Sequence, residues 1–346
     1  MAKRKRKPSQ GAPDDWAQLQ TLLANSRAHS APGITLVLGA GIHRERTSNS
    51  IASRMAVNAL GSWSGLLTHF ARSQSLECDP RGGNLALAWE ELAFKFRCSG
   101  SAWQRERSAL DALQKVITGF SAVVPSLRSH AIRLVSDPRF INVINLNIDQ
   151  CLINELIKED RRVWTAQPSR RKHGKRGINL GESRAFCSAL ERRKVWQPHG
   201  DVFRKDSLCL GSRAYVQSCS EFEEYRNLIW AERRKGRSGS NRKRTSPTKR
   251  DAQSYNSWAD AMLHSHLLFV GCGLSSHDAD IWFALNCRRR CWMRHRDKAP
   301  KTFVVRVDAK NSDPIPQEYA SVLSANNYDE AWKMLGWALN GCAEEK

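Results

Sequence analysis

Residues 33–49 read GITLVLGAGIHRERTSN. The run Ile34 to Leu38 is β-branched or apolar throughout, passes directly into Gly39-Ala40-Gly41, and gives way to charge within a few residues. An apolar run of strand length ended by glycines predicts a strand buried on both faces, as in a parallel sheet. A Gly-x-Gly turn at the end of such a strand lets backbone approach a phosphate closely. The fingerprint of hydride-transferring dinucleotide enzymes requires a third glycine where Arg44 stands, so the stretch departs from that pattern.

Outward from this strand the pattern alternates between the two periods. DDWAQLQTLLANSRAH (14–29) has helical spacing at Trp16, Leu19, Leu22 and Leu23. Residues 63–136 keep apolar positions three and four apart and predict a helical subdomain inserted after the first strand and its helix. A second strand is expected at FINVINLNID (140–149), and short strands at VWTA (163–166), KVWQPHG (194–200) and SLCLGS (207–212). A helix is expected from near Ser220, a buried strand and glycine turn within 262–285, a last strand at 301–310 and a closing helix at 326–341. Strand, turn and helix recurring in this way predict an α/β fold with a doubly wound, Rossmann-like parallel sheet. The domain is expected to span 14–346, with residues 1–13 as a disordered basic tail and a mobile basic insertion at about 233–250.

Composition narrows the class. A chain of 346 residues, 41% apolar with 12 Trp and 11 Phe, can bury a large core. No apolar run reaches the roughly 18 residues of a membrane span, and MAKRKRKPSQ lacks the apolar stretch of a secretory signal, so a cytoplasmic protein is expected. Ten cysteines in a chain this long do not form a disulfide scaffold. Cys287 and Cys291 are the nearest thing to a metal pair and have no second pair, so no metal is expected. The net charge of +21 is clustered in SRRKHGKRG (169–177), ERRKGRSGSNRKRTSPTKR (232–250) and CRRRCWMRHRDK (287–298). Such segments serve either as solvated loops or as a surface for nucleic acid or an acidic partner, and no nucleic-acid-reading motif decides between them.

Three strand ends carry unusual polar residues: GAGIH at 39–43, NLNID at 145–149 and GCGLSSHD at 271–278. The strand carboxyl ends of an open parallel sheet line its ligand crevice, so these ends can converge there. WQPHGDV (196–202) adds His199 in a turn between Pro198 and Gly200. Asn147 offers a donor and an acceptor, and His199 suits proton transfer near neutral pH. Asp149 either orients one of these groups or caps the helix that begins at Gln150.

In this order the pieces resemble the silent-information-regulator-two (sirtuin-like) family, and within it the bacterial branch of NAD-consuming proteins from phage-defence systems. The likeness runs over about residues 30–310 and rests on Gly39-Ala40-Gly41, WSGLL from Trp63, Asn147 and Asp149 of NLNID, His199-Gly200, and Gly271-Cys272-Gly273-Leu274. His43 replaces the family's usual serine, and Asn145-Leu146 replace two threonines. The zinc ribbon and the Gly-Ile-Pro-x-Phe-Arg segment of the protein deacylases are missing, which argues against an acyl-lysine pocket.

The resemblance implies NAD as a substrate. Its pyrophosphate would lie by Gly39, Ala40, Gly41 and Ile42, its adenosine half by Gly271, Gly273, Leu274 and Ser275, and its nicotinamide ribose between Asn147 and His199. It implies catalysis by Asn147 and His199 with Asp149 in support. With water as acceptor, the products are nicotinamide and ADP-ribose. It further implies a toxic antiviral effector, an oligomer kept silent until a protein partner senses infection. That partner would be an Argonaute-type protein or a ring ATPase, with the basic segments docking it or its nucleic acid. The alternative is a degenerate module that binds NAD or ADP-ribose without cleaving it.

Overall fold

The strand from the opening stretch, β1 (Ile34–Leu38), lies inside an eight-stranded sheet. The computed structural model describes residues 13–26, 33–45, 50–78, 84–96, 100–124, 129–159, 163–164, 182–187, 192–203, 207–235, 257–274, 278–293, 295–307 and 314–340. Of the expected tail at 1–13, residue 13 already belongs to the first helix, and of the expected insertion at about 233–250, residues 233–235 end a helix; residues 1–12, 169–177, 236–250 and Ser275 lie outside the described residues.

The other strands are β2 (Phe140–Asn145), β3 (Val163–Trp164), β4 (Glu182–Cys187), β5 (Arg192–Gln197), β6 (His266–Val270), β7 (Thr302–Val307) and β8 (Ser321–Ala325). Their order is β3-β4-β5-β2-β1-β6-β7-β8. The six from β5 to β8 are all parallel, while β3 and β4 continue the sheet antiparallel beyond β5. Numbered along the chain, the parallel strands stand in the order 3-2-1-4-5-6. That is the doubly wound arrangement the alternating pattern predicts, with the direction of winding reversing between β1 and β6.

Strand alternation divides the core. Ile34, Leu36 and Leu38 face a layer formed by α1 (Pro13–Ser26), α6 (Ser129–Ser136), α7 (Cys151–Glu159) and α11 (Tyr328–Asn340). Val37, Ile144, Trp196 and Phe269 face the opposite layer of α8 (Ser212–Lys235), α9 (Trp258–His264) and α10 (Ala279–Trp292). Both faces of β1 are therefore buried, as a central strand of a parallel sheet requires, with the Thr35 hydroxyl accepting from Ser265 Oγ.

The helical block comprises α2 (Ile51–Leu60), α3 (Trp63–Ser73), α4 (Leu85–Lys95) and α5 (Ala102–Val123) ahead of α6. Side-chain caps set its helix starts. The Ser50, Ser62 and Asn84 side chains accept first-turn amides, and Ser101 with Gln104 forms a capping box. Leu67, Phe70, Trp89, Leu92 and Leu113 form a third cluster that also takes in Ile148, Cys151, Val202 and Leu210. The block thus packs on the segments just beyond β2 and β5, at the carboxyl end of the sheet.

Several expectations change in detail. SLCLGS is not a strand: Cys209 and Leu210 are buried in a non-strand segment leading into α8, which begins at Ser212 rather than near Ser220. The helical block begins at Ile51, before residue 63, and strands β4 and β8 add to those expected. Among the described residues no helix is long and apolar enough to cross a membrane. Seven cysteines, Cys78, Cys151, Cys209, Cys219, Cys272, Cys287 and Cys291, are unbridged.

Candidate functional site

The glycine turns after β1 and β6 lock together. The Gly39 amide donates to the Val270 carbonyl at 3.0 Å and the Gly41 amide to the Gly271 carbonyl at 2.9 Å. A Cβ on Gly39 would lie 2.6 Å from the Gly271 oxygen, and one on Gly41 2.8 Å from the Gly271 Cα. Gly271 has φ +69°, in the left-handed region, and a Cβ there would lie 2.7 Å from the Ile42 nitrogen. These three glycines are required by the contact between the turns. Gly273 differs: a Cβ on it would meet nothing within 4 Å, while its carbonyl accepts a 2.9 Å bond from Arg306 Nη2. Leu274 is buried at φ +45°, an uncommon conformation for a branched residue, and packs in the cluster between the sheet and α10.

The chain after Gly39 forms a 3₁₀ turn, Ala40–Glu45, and Ile42 donates back to the Gly39 carbonyl at 3.2 Å. The amides of Gly39, Gly41 and Ile42 are therefore already engaged by main-chain carbonyls. A phosphate at this turn would need other donors.

Asn147 belongs to the same seam. Its Nδ2 donates to the Gly39 carbonyl at 3.2 Å, its backbone nitrogen donates to Asn145 Oδ1 at 3.2 Å, and its carbonyl accepts from Gln197 Nε2 at 3.4 Å. This network ties the ends of β1, β2 and β5 together. Among the described residues, Asn145 Nδ2 and Gln197 Oε1 are buried without a hydrogen-bond partner. Each such atom costs about 1–3 kcal/mol if left unpaired.

Two buried histidine–aspartate pairs flank Asn147. His199 Nε2 lies 3.0 Å from Asp280 Oδ2, and its Nδ1 lies 3.1 Å from the Leu146 carbonyl. Burial pushes the His199 pKa down, but the charge and hydrogen bond of Asp280 outweigh it and leave the value above that of an ordinary histidine. Tyr215 stacks edge-on against the ring at 5.6 Å between centroids, its hydroxyl pKa raised by burial and by Asp280. The second pair is His43 Nε2 with Asp149 Oδ2 at 2.9 Å. Asp149 Oδ1 accepts the Cys151 amide at 2.9 Å, so this carboxylate also serves the start of α7. Burial alone would raise the Asp149 pKa, but His43 and the hydrogen bonds hold it well below the usual carboxylate range.

Donor atoms of His43, Asp149 and Cys151 lie within 4.8 Å of one another, a set whose chemistry suits a divalent transition metal. Both Asp149 oxygens are already hydrogen-bonded within the protein, to His43 and to the Cys151 amide. The arrangement is thus satisfied as an oriented histidine–carboxylate pair. An open hollow of about 520 Å³ between α3, α4 and α5, lined by Phe96, Asp111 and Lys115, takes no part in this network.

The fold thus brings Gly39, Gly41, Ile42 and Gly271 to one seam, with Asn147 bonded into it and Ala40 opening the 3₁₀ turn, whereas Leu274 packs in the core cluster beside α10. Sequence reasoning noted His43 only as a departure and missed Asp280, Tyr215 and Gln197. Asp280 follows Asp278 by two residues at the start of α10, and nothing in SHDAD distinguishes the carboxylate that turns inward. No protein-family model matches the chain, and no curated protein matches it.

Proposed function

We propose that the chain is an NAD glycohydrolase that cleaves the nicotinamide–ribose bond with water, releasing nicotinamide and ADP-ribose. The observation that carries this reading is the reversal of winding between β1 and β6, where two glycine turns meet and Asn147 is anchored to Gly39. Open parallel sheets bind ligands outside the strand carboxyl ends at such a reversal. Its order of strand-end motifs is that of the sirtuin-like family.

In this reading the nicotinamide ribose lies against Asn147, whose amide is oriented by the Gly39 carbonyl. The adenosine half lies towards the turn at Gly271 and Gly273. Cleavage passes through an oxocarbenium-like centre, so the site must hold the ribose and one attacking water. His199, bonded to the Leu146 carbonyl and fixed by Asp280, positions the strand end that carries Asn147. Depleting NAD is toxic, and the chain is an antiviral effector triggered by a partner protein in the cytoplasm. The basic segments dock that partner or its nucleic acid.

The engaged amides of Gly39, Gly41 and Ile42 favour a second reading, a module that binds NAD or ADP-ribose without turnover. One experiment separates the two. Purified protein, alone and with the proteins encoded beside it, is incubated with NAD, and nicotinamide and ADP-ribose are quantified by chromatography. Product that disappears in Asn147→Ala supports the hydrolase. Bound, intact NAD under every condition supports the module and rejects the hydrolase.

A further inference from the structure

Of the three basic segments, CRRRCWMRHRDK (287–298) is the one that falls largely within the described residues, and it divides into structural and free charge. Arg288 is buried, and its terminal nitrogens donate to the carbonyls of Met262 and Pro300 at 2.6 Å and of Lys301 at 3.4 Å. One guanidinium thus ties the chain before residue 289 to the chain after residue 299 and closes a loop at its neck. Trp292 Nε1 pins the loop to the Leu263 carbonyl at 2.9 Å. Main-chain bonds from His295 to Trp292, Lys298 to His295 and Ala299 to Arg296 wind the remainder. The buried part of the basic run therefore holds the exposed part in a fixed frame.

The side chains of Arg290, Arg296 and Lys298 are exposed and make no hydrogen bond or ion pair among the described residues. Arg289 is engaged, over the Tyr319 ring at 5.2 Å and 3.5 Å from Glu318 Oε1. The helix dipole accounts for cations in the last turn of α10, Arg289 and Arg290, but its effect fades within that turn. Arg296 and Lys298 lie beyond it, in a separate 3₁₀ turn. Asp297 is the one acidic residue in the stretch 289–299.

The loop sits at the end of the sheet away from the glycine seam. Its anchors are all at strand starts: Met262 and Leu263 lie just before β6, and Pro300 and Lys301 just before β7. The Lys301 amide donates to Nδ1 of His266, the first residue of β6. Gly271 follows the last residue of β6. Five residues of strand span about 17 Å, roughly twice the screening length at physiological salt. The free cations of the loop therefore do not serve a dinucleotide bound at the seam.

We propose that this loop docks the phosphate backbone of a nucleic acid through Arg290, Arg296 and Lys298. The proposal narrows the docking role given above to the basic segments to one surface and one class of partner, and it is independent of NAD cleavage. Cations on a preformed frame neutralise phosphates, release condensed counterions and read no bases. An acidic protein fits less well. Protein interfaces are built around an apolar centre, and among the described residues of the loop Met293 is the one large apolar side chain exposed.

The test is fluorescence anisotropy of the full chain with a short mixed-sequence DNA duplex and, separately, a poly-glutamate peptide, over a salt series. The loop variant is Arg290→Gln/Arg296→Gln/Lys298→Gln. The control is Arg54→Gln/Arg133→Gln/Lys333→Gln, which removes the same charge from exposed positions on α2, α6 and α11. The wild type should bind the duplex, and the loop variant should flatten the slope of log affinity against log salt by about 2–3. Between about 50 and 200 mM salt the wild type then loses about 40-fold more affinity than the variant. The control should move the slope by less than about 1. Equal flattening in both variants would show that net charge binds and not this loop, and would overturn the proposal. So would a duplex that the wild type does not bind, binding that the loop variant leaves unchanged, or poly-glutamate held as tightly as the duplex and released by the same variant. If the triple variant unfolds, the three single variants replace it, each expected to flatten the slope by about 1. None of these measurements involves NAD, so their failure and that of the hydrolase reading are separate.

Discussion

Gly41 donates its amide to the carbonyl of Gly271 at 2.9 Å, so the turns that end β1 and β6 are one structure and not two adjacent ones. Their glycines are constrained by each other's backbone. Gly41→Ala places its methyl carbon 2.8 Å from Gly271 Cα, and Gly271→Ala adds a left-handed backbone to a similar clash. Each should cost about 1–3 kcal/mol. Gly273→Ala meets nothing within 4 Å and should stay within about 0.5 kcal/mol of wild type. Denaturant unfolding of the three variants checks this.

Asp280→Asn removes the charge that holds His199 protonated. The His199 pKa should fall towards or below its ordinary value, because burial then acts without an opposing carboxylate. Breaking a buried pair of this kind typically costs about 3–5 kcal/mol, and both ring and carboxylate are almost fully buried. Histidine NMR gives the first quantity and urea unfolding the second. An unchanged His199 titration would show that Asp280 does not govern it.

Two histidines should shape stability against pH in opposite directions. Burial, then Arg288 and Lys301, lower His266 from 6.5 to about 3, while its Nδ1 accepts the Lys301 amide. Unfolded chains take up this proton below about 6.5 and folded ones do not until about 3. The contribution is therefore complete above that window and lost as pH falls through it. His199 is raised, so its contribution is complete below 6.5 and lost as pH rises through its folded value. Melting temperature measured from pH 4 to 9 should show both limbs. His266→Asn, which keeps an acceptor for the Lys301 amide, should flatten the acid one.

Arg288 sits in the basic run CRRRCWMRHRDK yet is only 5% exposed, bonded to the carbonyls of Met262 and Pro300 at 2.6 Å each. Arg288→Ala strands these carbonyls and should destabilise the fold by about 2–4 kcal/mol. Exposed Arg290 has no such role, and Arg290→Ala should lie within about 0.5 kcal/mol of wild type. Thermal unfolding of the two separates structural from surface charge in one helix.

The sheet was legible because its central strands are largely apolar on both faces. Ile34–Leu38 and His266–Val270 end in glycine turns, and these punctuate the pattern clearly. Strand β4, ESRAFC, was not, because it lies beyond the parallel core and has little apolar run to reveal it. SLCLGS misled for the opposite reason: Cys209 and Leu210 are buried by side chains packing against helices, and burial without a ladder looks like a strand in sequence. At the site, Asn147, Asp149 and His199 stand out as polar residues at strand ends. Their partners could not, since His43 and Asp280 meet them from distant parts of the chain and acquire meaning only through contact.

The interlocked seam also dates the site within the life of the chain. Its parts come from residues 39–43, 145–149, 199 and 271–280, and β1 gains its neighbour β6 only when the latter exists. Ribosomes add roughly 5–20 residues per second, so a nascent chain spends most of its synthesis with β1 paired on one edge at most. Until α10 emerges, the cell holds β1 and β2 but no crevice. On the proposed hydrolase reading, the incomplete chain has no site with which to act on NAD until its last third is made.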